Sequence, residues 1–151
     1  MKVVKGDLLQ LALAGTFDVI VHGANCQCTM GAGIAKAIRV RFPEAYEADR
    51  ATVKGDRAKL GTCSRAEVVR GNTRFVVVNA YTQFDYRGAG VKVDYDAVAS
   101  VLRQVKRDFS GRRIAYPRIG AGLGGGDWVR IAAIVDGVLE GEDHTLAEFE
   151  P

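Results

Sequence analysis

The sequence has few cysteines and no long apolar segment, and both scarcities limit what the protein can be. Its three cysteines are an odd number, so a disulfide framework is not expected and we predict reduced thiols in the cytoplasm. Charged residues interrupt the N-terminal segment "MKVVKGD", which predicts neither a signal peptide nor a membrane-spanning helix.

An excess of charge of one sign is also lacking. The 21 basic and 18 acidic side chains leave a formal charge of +3, which by itself does not predict nucleic-acid binding. Arginines do cluster in "RRIAYPR" and "VLRQVKR", so nucleic acid stays open as the carrier of a modified substrate. A chain of this length is expected to form one domain over residues 1–151, and we expect a monomer.

Metal ligands are scarce and badly spaced. Zinc sites use cysteine pairs with two to four residues between them, together with two further ligands. Here Cys26 and Cys28 have a single residue between them, and Cys63, His22 and His144 are scattered along the chain. The sequence therefore predicts no metal and no cofactor, and it favours Cys26 and Cys28 as buried, inert thiols.

Hydrophobic periodicity predicts alternating strands and helices. The segments "FDVIVHGAN", "CSRAEVVR", "RFVVVNAYT" and "HTLAEFE" are typical of strands, whereas "VDYDAVASVLRQVKRDF" and "DWVRIAAIVDGVLEG" have helical spacing. Continuous apolar runs are typical of parallel strands that are covered on both faces. The pattern predicts an α/β fold, a three-layer α/β/α sandwich around a mostly parallel mixed sheet.

Two glycine-rich segments, "TMGAGIAKAI" and "IGAGLGGGDW", fall where predicted strands lead into helices. Ligands of open parallel sheets bind at such turns, and glycine followed by a helix N-terminus lets backbone amides approach phosphate. Neither segment ends in the Gly-Lys-Ser/Thr of a P-loop, and "GAGLGG" lacks the acidic residue of a dinucleotide fingerprint. Tight turns without a ligand remain the alternative.

Five motifs in a fixed order resemble the macrodomain family, whose members bind ADP-ribose. They are "KGDL", "VIVHGAN", "GAGIAKAI", "VVVNAYTQ" and "YPRIGAGLGGGDW". The resemblance covers nearly the whole chain and implies a single macrodomain over residues 1–151. Within the family, the sequence is similar to the branch that includes terminal ADP-ribose glycohydrolases, ADP-ribose-1''-phosphate phosphatase and antitoxins that remove ADP-ribose from DNA.

The resemblance implies roles for individual residues. Asp7 would accept a hydrogen bond from the adenine amino group beside Leu8, Asn25 would bind the distal ribose, and Phe149 in the last strand would stack on adenine. The ribose and diphosphate would lie against Gly31, Gly33, Ile34, Gly120, Ala121, Gly122, Leu123, Gly124 and Gly125. Each role has a plain alternative: Asp7 as a helix cap, Asn25 as a turn residue and Phe149 as a core residue.

Two residues are candidates for catalysis. Glycohydrolases of the family use a lysine at the place of residues 83–85, where this sequence has none before Lys92, and an acid at the place of Gly124. Asp127, three residues further on, is the acid candidate, with a helix N-cap as its alternative. His22 matches a histidine of the phosphatase-like relatives, with a structural hydrogen bond as its alternative.

The leading prediction is an enzyme that hydrolyses an ADP-ribose derivative, either an ADP-ribosyl group on a macromolecule or ADP-ribose-1''-phosphate. A reader module that binds ADP-ribose without chemistry is the first alternative, because the family lysine is absent. An NAD-binding domain is the second, and it predicts that NAD binds at least as well as ADP-ribose.

Overall fold

The computed structural model describes residues 1–149, and its strands form one six-stranded sheet. The strands are β1 (Lys2–Lys5), β2 (Val19–Asn25), β3 (Cys63–Arg70), β4 (Thr73–Gln83), β5 (Ile114–Tyr116) and β6 (His144–Glu148). Their order is β1-β6-β5-β2-β4-β3. Neighbouring strands are parallel except for β3 and β4, which form an antiparallel pair. The predicted mostly parallel mixed sheet is confirmed.

Helices cover both faces of this sheet. They are α1 (Leu8–Leu13), α2 (Gly33–Arg41), α3 (Pro43–Arg50), α4 (Tyr95–Phe109) and α5 (Trp128–Val138), with a 3₁₀ turn at Arg57–Lys59. One apolar core joins the sheet to α1, α2 and α3, and a second joins it to α4 and α5. The three-layer α/β/α arrangement therefore agrees with the prediction. Within residues 1–149, no helix is long and apolar enough to cross a membrane.

The side chains of β2 show why its sequence reads as an unbroken apolar run. Val19 and Val21 pack into the core with α4 and α5, whereas Ile20 between them packs into the core with α1, α2 and α3. Successive side chains of a strand point to opposite faces. Because helices cover both faces, every position from Val19 to Val21 must be apolar.

The last strand ends at Glu148, two residues before the end of the predicted segment "HTLAEFE", whose final residue lies outside the described residues. Glu148 pairs with Lys5, the last residue of β1, and its carbonyl accepts a 2.8 Å hydrogen bond from the amide of Gly6; the paired residues of the two strands end there. Phe149 therefore follows the strand, and 67% of its surface is exposed. Its placement inside the last strand is wrong, and so is the alternative that Phe149 is a core residue.

Candidate ligand-binding cavity

A cavity of about 1320 Å³ lies along the edge where the parallel strands end. This exceeds the roughly 300–1,000 Å³ of common small-molecule sites. Its walls come from the residues that follow β1, β2, β4, β5 and β6. The cavity thus occupies the edge at which open parallel sheets bind ligands.

Most of the residues predicted to bind a ligand line this cavity. They are Asp7, Leu8, Asn25, Gly31, Gly33, Ile34, Gly120, Ala121, Gly122, Leu123, Gly124 and Phe149. Gly125 is not brought to it: a β-carbon at this residue would meet the backbone of Gly90 and Val91, at 3.4 and 3.5 Å. The shared location is a structural observation, whereas contact with a ligand stays a prediction.

The strand order gives the cavity two ends. The β1/β6 end is lined by Asp7, Leu8, Arg118, Trp128, Glu148 and Phe149, and the β2/β4 end by Asn25, Thr29, Thr82, Gln83, Tyr86 and Lys92. Two loops also line the cavity and contribute residues to its ends. The first loop (residues 26–32) joins β2 to α2, and the second loop (residues 117–127) joins β5 to α5.

Both carboxylates at the β1/β6 end have cationic partners. Asp7 is the N-cap of α1 and accepts a 2.9 Å hydrogen bond from the amide of Leu9, while its other oxygen lies 3.4 Å from Nη1 of Arg41. Glu148 pairs with Arg118. The helix-cap alternative for Asp7 is confirmed, and the same residue still lines the cavity.

Asn25 holds the beginning of the first loop. Its Oδ1 accepts a 2.8 Å hydrogen bond from the amide of Gln27, and its Nδ2 donates to Oγ1 of Thr29 at 3.0 Å. This is the side-chain-to-backbone turn that asparagine commonly makes. Asn25 is therefore a turn residue and a cavity residue at the same time.

The cysteines of the first loop differ in exposure. Cys26 is fully buried, and this burial raises the pKa of its thiol. Cys28 is only half-buried, so the prediction of two buried thiols holds for Cys26 alone. All three cysteines are unpaired. No group of three His, Cys, Asp or Glu side chains in residues 1–149 is arranged to hold a metal ion.

The second loop is closed tightly on itself and on the segment before α4. The amide of Gly126 donates to the carbonyl of Gly120 at 2.8 Å, and the amides of Lys92 and Val93 donate to the carbonyl of Gly124 at 2.8 and 3.2 Å. Gly120 has a φ of +72°, which glycine adopts at little cost. These contacts fix the path of the backbone along the cavity.

Neither candidate for catalysis lines the cavity. Asp127 is exposed and caps α5, where its Oδ1 accepts a 3.0 Å hydrogen bond from the amide of Val129. His22 is 1% exposed, with its Nε2 2.6 Å from Oδ1 of Asn79, and burial lowers its pKa. The structural alternatives fit both residues, since Asp127 caps a helix and His22 is hydrogen-bonded inside the sheet, and a catalytic role for either stays a prediction.

Most polar groups of the β2/β4 end were not predicted from the sequence as site residues. Register places Asn25 beside Gln83, so two carboxamides lie at the ends of neighbouring strands. Tyr86 is 50% exposed, and Lys92 is the one charged side chain among the described residues at this end. The sequence did draw attention to Gln83 and Lys92, because the lysine that related glycohydrolases use is absent between them. No such signal pointed to Tyr86.

A family model and several known sequences are similar to this chain. The sequence model of the Macro domain family matches residues 21–135. An uncharacterized 17.5 kDa protein of Enterobacteria phage T4 is 33% identical over 100% of this chain and 97% of its own length. A DNA ADP-ribosyl glycohydrolase of Mycobacterium tuberculosis is 29% identical over 82% of this chain, but over only 34% of its own length. An ADP-ribose glycohydrolase of Bos taurus is 27% identical over 97% of this chain and 88% of its own length.

Solved structures share the fold. The macrodomain of Mycobacterium tuberculosis DarG superposes with a TM-score of 0.77 at 22% identity, over 99% of this chain and 97% of that one. Thermosipho africanus DarTG in complex with ADP-ribose gives a TM-score of 0.73 at 16% identity, over 100% of this chain and 42% of that one. At these identities the likeness supports the architecture alone.

Proposed function

The chain belongs to the Macro domain family, and on that premise we propose that it binds ADP-ribose in the cavity and hydrolyses an ADP-ribose derivative. The substrate would be an ADP-ribosyl group on a macromolecule, or ADP-ribose-1''-phosphate. The observation that carries the proposal is a single cavity that both glycine loops line together with Asp7 and Asn25. Relatives named as glycohydrolases of ADP-ribose or of ADP-ribosylated DNA support it.

The two ends of the cavity suit the two ends of ADP-ribose. Adenine would lie at the β1/β6 end. There the carboxylate of Asp7 can accept a hydrogen bond from the adenine amino group, and the exposed ring of Phe149 can stack on the base. The distal ribose would lie at the β2/β4 end, against Asn25. The diphosphate would then span the loops in between.

The N-terminus of α2 suits this diphosphate. The helix begins at Gly33, its N-cap residue is Ala32, and no side chain accepts a hydrogen bond from its first amides. Both residues line the cavity. Free amides at the positive end of a helix attract phosphate, so α2 supplies donors for an anion and no side chain competes with it.

Hydrolysis requires a group at the β2/β4 end, where the reacting carbon of the distal ribose would lie. The oxygen of water bonds to this carbon as the bond between the carbon and the acceptor breaks; the acceptor leaves with a proton from a general acid, and the water returns one of its protons to that group. Lys92, Gln83 and Asn25 all line this end, and we assign the proton to the ammonium of Lys92 and the binding of the water to Gln83 and Asn25. Asp127 and His22 lie outside the cavity, so we assign the chemistry to Lys92 instead.

A second candidate function is an ADP-ribose reader without catalysis. The observation that favours it is the lack of a carboxylate at the β2/β4 end among the described residues. A reader would bind ADP-ribose through the same loops and would leave every linkage intact.

Binding is tested by calorimetric titration of the protein with ADP-ribose, with NAD and AMP as controls. We expect ADP-ribose to bind more tightly than either control, because only it places a free distal ribose beside Asn25. No binding, or a preference for NAD, would contradict the proposal.

Hydrolysis is tested on ADP-ribosylated protein, ADP-ribosylated DNA and ADP-ribose-1''-phosphate. We expect Lys92→Ala to lose turnover by about a hundredfold or more, as for loss of a general acid, while ADP-ribose affinity is largely retained. Asp127→Ala serves as the control, and its turnover should match that of the wild type. Intact substrates after incubation with excess wild-type protein would establish the reader.

A further inference from the structure

Lys59 is a buried lysine that the proposed binding mode does not use. Its side chain belongs to the 3₁₀ turn Arg57–Lys59, and the residue is only 7% exposed. Lysine is rarely buried, because an ammonium taken out of water loses free energy unless hydrogen bonds replace its hydration. The groups that contact the Lys59 ammonium therefore indicate which part of the structure this residue stabilises.

Those partners belong mainly to the first loop. The Nζ of Lys59 donates to the carbonyl of Cys26 at 3.1 Å and to Sγ of Cys28 at 3.4 Å. It also lies 4.7 Å from the centroid of the Tyr81 ring, within the range of a cation–π contact. Tyr81 in turn donates a 2.7 Å hydrogen bond to the buried carboxylate of Asp49, so the ammonium has a polar environment beneath the loop.

The loop segment held in this way has a costly backbone conformation. Cys28 and Met30 have φ angles of +57° and +40°, which non-glycine residues rarely adopt. Thr29 lies between these two positions and accepts a 3.0 Å hydrogen bond from Nδ2 of Asn25, and both residues line the cavity. The contacts around the loop must therefore offset its strain, or Asn25 and Thr29 would move away from the ligand.

We propose that Lys59 is a positioning residue for ADP-ribose: it does not line the cavity, and it holds the first loop so that Asn25 meets the distal ribose. This inference rests on the proposed function. It predicts an effect on ligands that reach the β2/β4 end, and none on ligands confined to the β1/β6 end.

The test compares ADP-ribose with AMP, which lacks the distal ribose and the second phosphate. Lys59→Met keeps an unbranched side chain against Tyr81 and removes the ammonium. The control is Lys106→Met in α4, outside the cavity, which also removes a lysine that donates to a backbone carbonyl, that of Glu140 at 2.9 Å. Affinities for both ligands are measured by calorimetry, under conditions where urea unfolding shows each protein to be folded.

We expect Lys59→Met to bind ADP-ribose about tenfold more weakly, the loss that corresponds to one hydrogen bond to a charged group, with AMP affinity unchanged. Lys106→Met should match the wild type for both ligands. Unchanged ADP-ribose affinity, or an equal loss for both ligands, would overturn the inference.

Three outcomes separate a failure of folding, a failure of the proposed function and a failure of the inference. If Lys59→Met does not fold, Lys59→Gln replaces it: its amide nitrogen is uncharged and one bond closer to the backbone than Nζ, so it cannot reproduce the two contacts with Cys26 and Cys28, and it must show the same selective loss of ADP-ribose or the inference is wrong. If wild-type protein does not bind ADP-ribose, the proposed function fails and the inference with it. If wild-type protein binds and the variant is unchanged, only the inference fails.

Discussion

Single glycines in the second loop differ in how much space surrounds them. A β-carbon at Gly126 would lie 2.6 Å from Cγ1 of Val93 and 2.8 Å from the carbonyl oxygen of Gly120. A β-carbon at Gly122 would meet nothing within 4 Å. Packing inside the protein therefore requires glycine at position 126. At position 122 the protein leaves room for a side chain, and only the close approach of a ligand would require glycine.

We predict that Gly126→Ala lowers the free energy of unfolding by about 1–3 kcal/mol, the usual cost of overpacking. Gly122→Ala is the matched control and should stay within about 0.5 kcal/mol of the wild type. Urea unfolding of the ligand-free proteins measures both values. Equal costs at the two positions would contradict the packing argument.

Residue chemistry also explains what the sequence could predict and what it could not. Asp7 and Asp127 each precede a helix, and the sequence offered both a cap and a site role for them. Only the structure shows that Asp7 lines the cavity and that Asp127 does not, because this depends on which way each helix start faces. The same residue type with the same local signal thus has two outcomes.

Whole elements were easier to predict than the loops between them. The strands and helices that carry the cores follow from apolar periodicity, as β2 shows. The segment between β4 and α4 has no such periodicity, and it turns through Gly88 and Gly90 with φ angles of +100° and +82°. The places of Tyr86 and Lys92 therefore depend on a loop path that no pattern in the sequence encodes.

The three helices that begin at or beside the cavity also differ from one another. α1 and α5 are capped by aspartate side chains, while α2 has no side-chain cap. An uncapped helix start is slightly unstable by itself, since its first amides lack partners. At α2 this small loss leaves the amides available to a ligand.

We predict that Ala32→Asp separates stability from binding. Ala32 is in extended conformation at the N-cap of α2, so an aspartate there can cap the helix and raise the free energy of unfolding by about 1 kcal/mol. ADP-ribose affinity should fall by at least about tenfold, because the carboxylate occupies the amides and repels the diphosphate. Urea unfolding and calorimetry measure the two effects.

The control for this experiment is Val53→Asp, which makes the same change in net charge at a site that is 67% exposed and outside the cavity. It should leave ADP-ribose affinity unchanged. If Ala32→Asp bound ADP-ribose like the wild type, the assignment of the α2 N-terminus to the diphosphate would be wrong.

At the scale of the whole molecule, each face of the sheet contains one buried histidine. His22 contacts Asn79, which also donates to the carbonyl of Ala45 in α3. His144 lies on the opposite face, with its Nδ1 2.6 Å from the hydroxyl of Tyr116. Burial lowers the pKa of both histidines. Protonation therefore disfavours the folded state on both sides of the sheet.

We predict that stability falls as the pH drops below about 6.5, the ordinary histidine pKa. Below about pH 6.5 the unfolded chain binds more protons than the folded one. The free energy of unfolding therefore rises with pH in this range, and the contribution of the histidines is greatest above about pH 6.5. His22→Gln should show a shallower fall than the wild type between about pH 6.5 and pH 5. Urea unfolding across this range measures the slopes, and parallel curves would show that His22 does not contribute.

Trp128 gives the cavity an optical property of its own. It is the single tryptophan of the sequence, it lines the β1/β6 end, and the guanidinium of Arg118 lies 5.8 Å from the centre of its ring. A ligand that fills the cavity changes the polarity around this indole, so its fluorescence emission reports occupancy in the unmodified protein. Every variant described above keeps Trp128, and each can therefore be titrated by the same intrinsic signal.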